Sequence, residues 1–292
     1  MSNNNLKWIY LSCLSLVWGS SFILIKKGLV GLTALQVGSL RTIFAAVFLL
    51  CIGFKSLKKI KKSQWKWIAF SGVFGTFFPA YLFSFAETEI DSAIVSILNS
   101  TTPLLSMLLG IFLFNAKFIK GKLLGIIVGL FGTAVLIFNG ASMNPDQNYW
   151  YSLLVILASL FYGLNANVIK KHLQSIPALA ITTGNFSVIA IPAIIVLISS
   201  NFFSESVFAS PEVPLSLLYV CILGVVGTGA ALIFFNKLIQ ISDPVFATSV
   251  TYIVPLIALG WGFLDGEKIT LIQILAGLVV IFGVMLVNKW KQ

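Results

Sequence analysis

Apolar residues recur along the chain in blocks of about 18 to 23 residues, the length a helix needs to cross roughly 30 Å of hydrocarbon. Short stretches holding most of the charges part the blocks. The pattern predicts ten spans, beginning near Trp8, Thr33, Trp65, Ser92, Gly121, Tyr149, Ala178, Leu215, Val245 and Thr270. Tyr10, Trp65, Trp67, Tyr149, Trp150, Tyr151 and Trp290 fall at expected span ends, where amphipathic rings sit at headgroup level. The expected fold is an all-α integral membrane bundle. Composition agrees, with 58% hydrophobic and 10% charged residues, values outside the range of soluble globular domains.

The second part of the chain repeats the first. At a shift of 144 residues Trp18, Gly19, Lys26, Lys27 and Arg41 fall on Tyr162, Gly163, Lys170, Lys171 and Asn185. At a shift of 152, "GVFGT" from Gly72 lies over "GVVGT" from Gly224, Asp91 over Asp243 and Pro103 over Pro255. An eight-residue insertion around Phe202 to Pro211 accounts for the change of shift. The expected organisation is therefore two five-helix repeats, residues 1–140 and 148–290. Five spans is an odd number, so the second copy enters the membrane from the opposite side. Inverted repeats of this kind recur in secondary transporters, with the substrate site near the midplane between the halves.

A net charge of +10 invites a nucleic-acid reading, but the 19 basic residues follow the membrane instead. With the N-terminus inside, Lys26, Lys27 and Lys268 lie outside, Arg41 lies within a span, and the other 15 lie on the cytoplasmic side. Glu87, Glu89, Asp91, Asp146, Glu205, Glu212, Asp265 and Glu267 fall outside. Both termini are expected in the cytoplasm, in a multi-pass protein of the inner (plasma) membrane with no nucleic-acid partner. The N-terminal apolar stretch is read as a mature span rather than a signal peptide, since a copy recurs at mid-chain. Cys13, Cys51 and Cys221 lie in spans and are read as buried apolar thiols.

"WGSSF" at Trp18, Arg41 in the second span, the mid-span prolines Pro103 and Pro255, and "FLDGEKI" around Glu267 carry a specific likeness. In these features the chain resembles the drug/metabolite transporter superfamily, and specifically its EamA-type ten-span transporters, over nearly its full length. The resemblance implies an exporter or importer of small metabolites working by alternating access. It also implies a central cavity lined by the first, third and fourth spans of each half. Where the second half has Glu267, the first reads "FLFNAKF" with Ala116, so that carboxylate has no counterpart.

Several residues are candidates for the site. Pro103 and Pro255 each remove a backbone hydrogen bond inside a span and should kink or loosen it, as hinges or at a site. Ser92, Ser96, Asn99, Pro103 and Ser106 share one helix face, as do Thr248, Thr251, Tyr252 and Pro255 in the copy. Such stripes either line a cavity, with Asn99 and Tyr252 foremost, or tie helices together. Trp18 and Tyr162 occupy equivalent places, with Ser21 and Asn165 three residues on, and form either an aromatic cage or an interhelical contact. Tyr81 and Asn236 are weaker candidates of the same kind. Arg41 stands about 12 Å into its span, where a charge costs roughly 2.5–3.5 kcal/mol. It holds either a substrate carboxylate or phosphate, or a fixed bond to backbone carbonyls. The outer carboxylates Glu87, Glu89, Asp91 and Glu267 read as solvated loop charges, and His172 as an interfacial residue. No carboxylate falls near the centre of a span, so no proton-coupling group is visible. The run Gly121, Gly125, Gly129 and Gly132 offers a flat face for a close helix contact, within the fold or between subunits, the internal one favoured because the matching span carries Ala276, Gly277 and Gly283.

An enzyme would need a catalytic constellation, and one His, three Cys and no nucleophile elbow or metal-ligand motif supply none. No metal site, cofactor or P-loop is expected, which leaves a secondary carrier or facilitator acting on a small molecule, as a monomer or homodimer. A membrane scaffold or sensor is the alternative reading. Export of amino acids or related compounds is expected from the resemblance.

Overall fold

The computed structural model describes residues 3–116, 124–125, 127–129, 131–135, 138, 146–267 and 270–289. Among the described residues, eight helical segments are long and apolar enough to cross a membrane. They are α1 (Leu6–Gly28), α2 (Ala34–Lys59), α3 (Lys62–Ala86), α4 (Ser92–Phe114), α5 (Tyr149–His172), α6 (Ala178–Ser199), α7 (Val213–Ile241) and α8 (Pro244–Leu264). A further helix, α9 (Leu271–Lys289), follows them. These match the first to fourth and sixth to tenth expected spans. The span expected from Gly121 lies largely outside the described residues, as do Lys117, Lys120, Lys122, Lys268, Trp290 and Lys291. The described chain contains no strand.

Large apolar side chains such as Phe112, Phe131, Phe263, Leu264 and Leu271 point outward, while Ala, Ser and Thr are buried in numbers. Lipid is as apolar as leucine, so helices associate by close packing and hydrogen bonding rather than by hiding apolar surface from water. This corrects the expectation for the thiols. Cys13 and Cys51 are exposed and Cys221 half-exposed on outward faces, because a small apolar group gains little by leaving lipid for the interior.

The helices interlock through matched glycine contacts. A Cβ built on Gly19 of α1 would stand 2.6 Å from Ile257 of α8, and one on Gly163 of α5 2.7 Å from the Ser106 backbone of α4. Gly19 and Gly163 are repeat equivalents, as are Leu105 and Ile257, so one contact is a copy of the other. Ser21 abuts Gly227 of α7 and Asn165 abuts Gly75 of α3 in the same relation. The first helix of each half thus packs against the third and fourth of the other. Gly283 of α9 meets the Gly125 to Gly129 backbone, which makes that flat face an internal contact.

Neither α4 nor α8 is continuous. The α4 ladder breaks at Ser100 and Thr101 and resumes at Thr102, and α8 tightens to a 3-10 turn over Ser249–Tyr252 and resumes at Val254. Pro103 and Pro255 each sit in the first turn of the resumed helix, where a missing N–H costs nothing. Backbone groups freed in a membrane must be satisfied by the protein. Ser15 Oγ donates to Val250 O at 3.1 Å and Ser100 Oγ to Thr251 O at 2.9 Å, which ties the two breaks together.

A bulky group at Gly163 would collide with the α4 backbone, which cannot step aside as a side chain can. Gly163→Val is expected to cost about 1–3 kcal/mol by overpacking. Gly260 faces open space, so Gly260→Ala should be neutral or slightly stabilising. Thermal unfolding of both variants in detergent checks the pair; equal melting temperatures would refute the interlock.

Candidate functional site

The same pentapeptide repeat that marks the duplication also bends the backbone. Val73–Phe77 in α3 and Leu223–Ala230 in α7 are wound as π-helix, a form found mostly where function displaces a helical hydrogen bond. Each π turn carries Gly-Thr, Gly75–Thr76 or Gly227–Thr228, into the wall of a central cavity. The Gly227 carbonyl accepts from Trp18 Nε1 at 2.9 Å, and the Thr228 hydroxyl donates to Leu223 O at 2.9 Å, five residues back.

Aromatic rings from four helices, α1, α3, α5 and α7, add to the wall. Trp18 packs edge-on to Phe235 (5.0 Å between centroids), Phe22 edge-on to Phe83 (5.8 Å), and Tyr162 stacks on the other side of Phe83 (5.7 Å). Asn99, Thr102, Thr248 and Thr251 add polar groups from the two broken helices. Asn99 Oδ1 accepts from Thr102 Oγ1 at 3.1 Å.

Among the described residues, Arg41 is the one charged group of the wall. It is 8% exposed, and its Nε donates to Thr228 Oγ1 at 2.8 Å. The terminal nitrogens make no hydrogen bond to the described residues, and none of the described carboxylates pairs with them. A guanidinium this deep ordinarily has a counter-ion. Its repeat equivalent Asn185 instead lies against Ser71 and the α3 backbone, outside the cavity.

Of the residues singled out from sequence, Trp18, Ser21, Arg41, Asn99, Tyr162 and Thr251 converge on this cavity. Tyr81, Ser96, Asn165, Asn236 and Tyr252 stand outside its wall. Tyr81 and Ser39 hydroxyls share a hydrogen bond at 2.9 Å, Ser96 bonds back to Ala93 O, and Asn236 donates to Thr182. Asn165 packs behind Gly75, and Tyr252 packs on the Leu104, Met107 and Val280 cluster. Ser96 shares its unbroken segment with Asn99, and Tyr252 its 3-10 turn with Thr251, so each stripe splits within one segment. Thr76, Thr228, Phe22, Phe83 and Phe235 were missed, although the repeated "GVFGT" and "GVVGT" already marked the first two.

The loop carboxylates depart furthest from expectation. Glu267 is not a solvated loop charge: its side chain is fully buried. It accepts from Ser92 Oγ (2.6 Å), Ser92 N (3.2 Å), Ala93 N (3.1 Å) and Lys26 Nζ (2.9 Å). The start of α4 offers unsatisfied N–H groups and the positive end of a helix dipole, which together draw a carboxylate out of water. Lys26 also pairs with Asp265 at 2.8 Å, and Lys27 with the same carboxylate. Burial disfavours charge on Asp265, but the two lysines outweigh it and hold its carboxyl below the usual range. Asp91 accepts from Gln147 at 2.7 Å, and Glu87 is 8% exposed. At the other end of the bundle, Lys170, the equivalent of Lys26, donates among the described residues to the Ile239 and Ser242 carbonyls. His172 stacks on Trp67 at 3.6 Å.

The EamA-like transporter family model matches residues 6–138 and again 149–289. The chain is 27% identical to the uncharacterized inner membrane transporter YedA of Escherichia coli K12, covering 96% of this chain and 90% of that one. It is 28% identical to the uncharacterized transporter YoaV of Bacillus subtilis 168, covering 93% of each. With a Salmonella typhimurium LT2 protein named "Probable amino-acid metabolite efflux pump" it shares 27% identity over 93% of this chain and 91% of that one. A solved crystal structure superposes over 99% of this chain and 98% of its own with a TM-score of 0.69 at 17% identity, a likeness of fold alone. With two family matches spanning nearly the whole sequence and eight helices among the described residues apolar and long enough to cross a membrane, the chain belongs to the EamA-like transporter family and is a multi-pass membrane transporter.

Proposed function

We propose that the chain carries small organic anions or zwitterions, amino acids or related metabolites among them, across the inner membrane by alternating access. The observation that carries this reading is Arg41, a buried guanidinium with free terminal nitrogens in an aromatic-walled cavity. Its planar fork suits a carboxylate or phosphate, and the rings around it suit an apolar body. In this reading residues 1–140 and 148–290 are inverted five-helix halves with both termini in the cytoplasm. Their breaks before Pro103 and Pro255 act as hinges at one depth. The Lys26 and Lys27 pairs with Asp265 and Glu267 close the outer end, whereas Lys170, with Ala116 in place of the glutamate, closes the inner end more weakly. Export is the favoured direction, supported by the name of the Salmonella relative.

Full-length protein in liposomes should take up members of a labelled amino-acid panel saturably. Arg41→Ala should raise the half-saturating concentration by about 10- to 150-fold, the worth of a charge-assisted hydrogen bond of about 1.5–3 kcal/mol. Uptake with unchanged affinity, from a variant that elutes as wild type in size exclusion, would make the guanidinium structural.

Glu267→Ala removes the cap of α4 and one lysine pair. It is expected to shift the balance toward the outward-open form by about 1.5–3 kcal/mol, again the scale of hydrogen bonds to a charged group. In a cysteine-free background, Cys placed at Asn99 should then react at least tenfold faster with an impermeant thiol reagent added from outside. An unchanged rate would dismiss the latch.

A further inference from the structure

Glu87 is an acid with nowhere to put its charge. It follows the last turn of α3, whose Phe83 lines the cavity, and its backbone N–H still closes that turn onto Phe83 O. Neither carboxylate oxygen touches solvent or makes a hydrogen bond of good geometry. The charged groups that face it are Arg41 from α2, Lys26 from α1 and Glu267 from the loop after α8. Tyr162 of α5 also lies within the field of Arg41. Lys26 is already engaged by Asp265 and Glu267, and Arg41 by Thr228. Burial, reinforced by the Glu267 carboxylate, pushes the Glu87 carboxyl well above its ordinary range, and the attraction of Arg41 and Lys26 does not reverse this.

We propose that Glu87 is a proton-binding site linked to anion binding at Arg41, so that an anionic solute and a proton occupy the closed carrier together. A neutral Glu87 leaves Arg41 without an internal counter-ion and therefore available to a solute. An ionised Glu87 would compete for the same guanidinium field and weaken the solute's hold. Opening the Lys26, Asp265 and Glu267 latch admits water to Glu87 and removes the cost of its charge. The proton then leaves on the side where the solute leaves. The step is one protonation: a solvent proton bonds to a Glu87 carboxylate oxygen, and no oxidation or group transfer is involved.

The inference rests on the reading of Arg41 as an anion site, so its test has one arm that needs no solute. Infrared spectra of the full-length protein in lipid nanodiscs, titrated between pH 6 and 9, should contain a protonated-carboxyl C=O band that Glu87→Gln lacks. In liposomes, uptake of the labelled amino-acid panel by wild type should lose affinity as pH rises above the carboxyl's pKa, approaching tenfold per pH unit for one linked proton. Glu87→Gln, which mimics the protonated acid, should hold the low-pH affinity throughout that range, and Glu87→Asp should restore a pH slope. A band retained in Glu87→Gln, or a wild-type slope in that variant, overturns the proposal. If wild type takes up nothing in the panel, the solute reading fails by itself, and the infrared band alone decides: its loss in the variant supports the proton site and its persistence refutes it.

Discussion

A backbone N–H or C=O that leaves its helical ladder inside a bilayer has no water to turn to, so the protein must supply a partner. This constraint organises the centre of the molecule. The ladders of α3, α4, α7 and α8 are each displaced or interrupted within the span, and each irregularity faces another helix or the cavity. Ser15, Trp18 and Ser100 answer carbonyls of the second half from the first. The irregular backbone gives the cavity its polar character, and the cross-half bonds hold the irregular backbone in place.

Glycine makes the bonds reachable. Where Gly19 meets Ile257 and Gly163 meets Ser106, even a methyl group would have to displace a neighbour, so the helix axes approach as closely as backbones allow. The same closeness brings Ser21 onto Gly227 and Asn165 onto Gly75. Because every such contact occurs twice, related by the repeat, the two halves are bolted to each other rather than merely joined in sequence.

Charge breaks that symmetry. One end of the bundle gathers Lys26, Lys27, Asp265 and Glu267 around the start of α4, with Glu87 and Asp91 close by. The other end, among the described residues, answers Lys170 with carbonyls. Arg41 likewise has only Asn185 as its equivalent, and Asn185 bonds away from the cavity. A carrier with equal halves would have no reason to prefer one closed form. The two ends differ in these ion pairs and in Ala116, which stands where the second half has Glu267.

Much of this was readable before any coordinates. Span length is fixed by bilayer thickness, the duplication by identities at constant shift, and the place of Arg41 by counting from the span's start, since all three depend on order along the chain. Six candidates from Trp18 to Thr251 reached the cavity because the helical period already put them on common faces. Three things depended on contacts between segments far apart in sequence. Ser96 bonds back to its own helix and Tyr252 packs on Leu104, Met107 and Val280, so neither reaches the wall. Loop carboxylates that look solvated in isolation, Glu87 and Glu267, became buried once α1, α4 and the segment before α9 closed over them. Arg41 gained its unpaired state only because no described carboxylate comes within reach of its terminal nitrogens. Periodicity reports which face a residue shares with its own helix. Burial and pairing are set by what the other helices bring to that face, and only packing decides that.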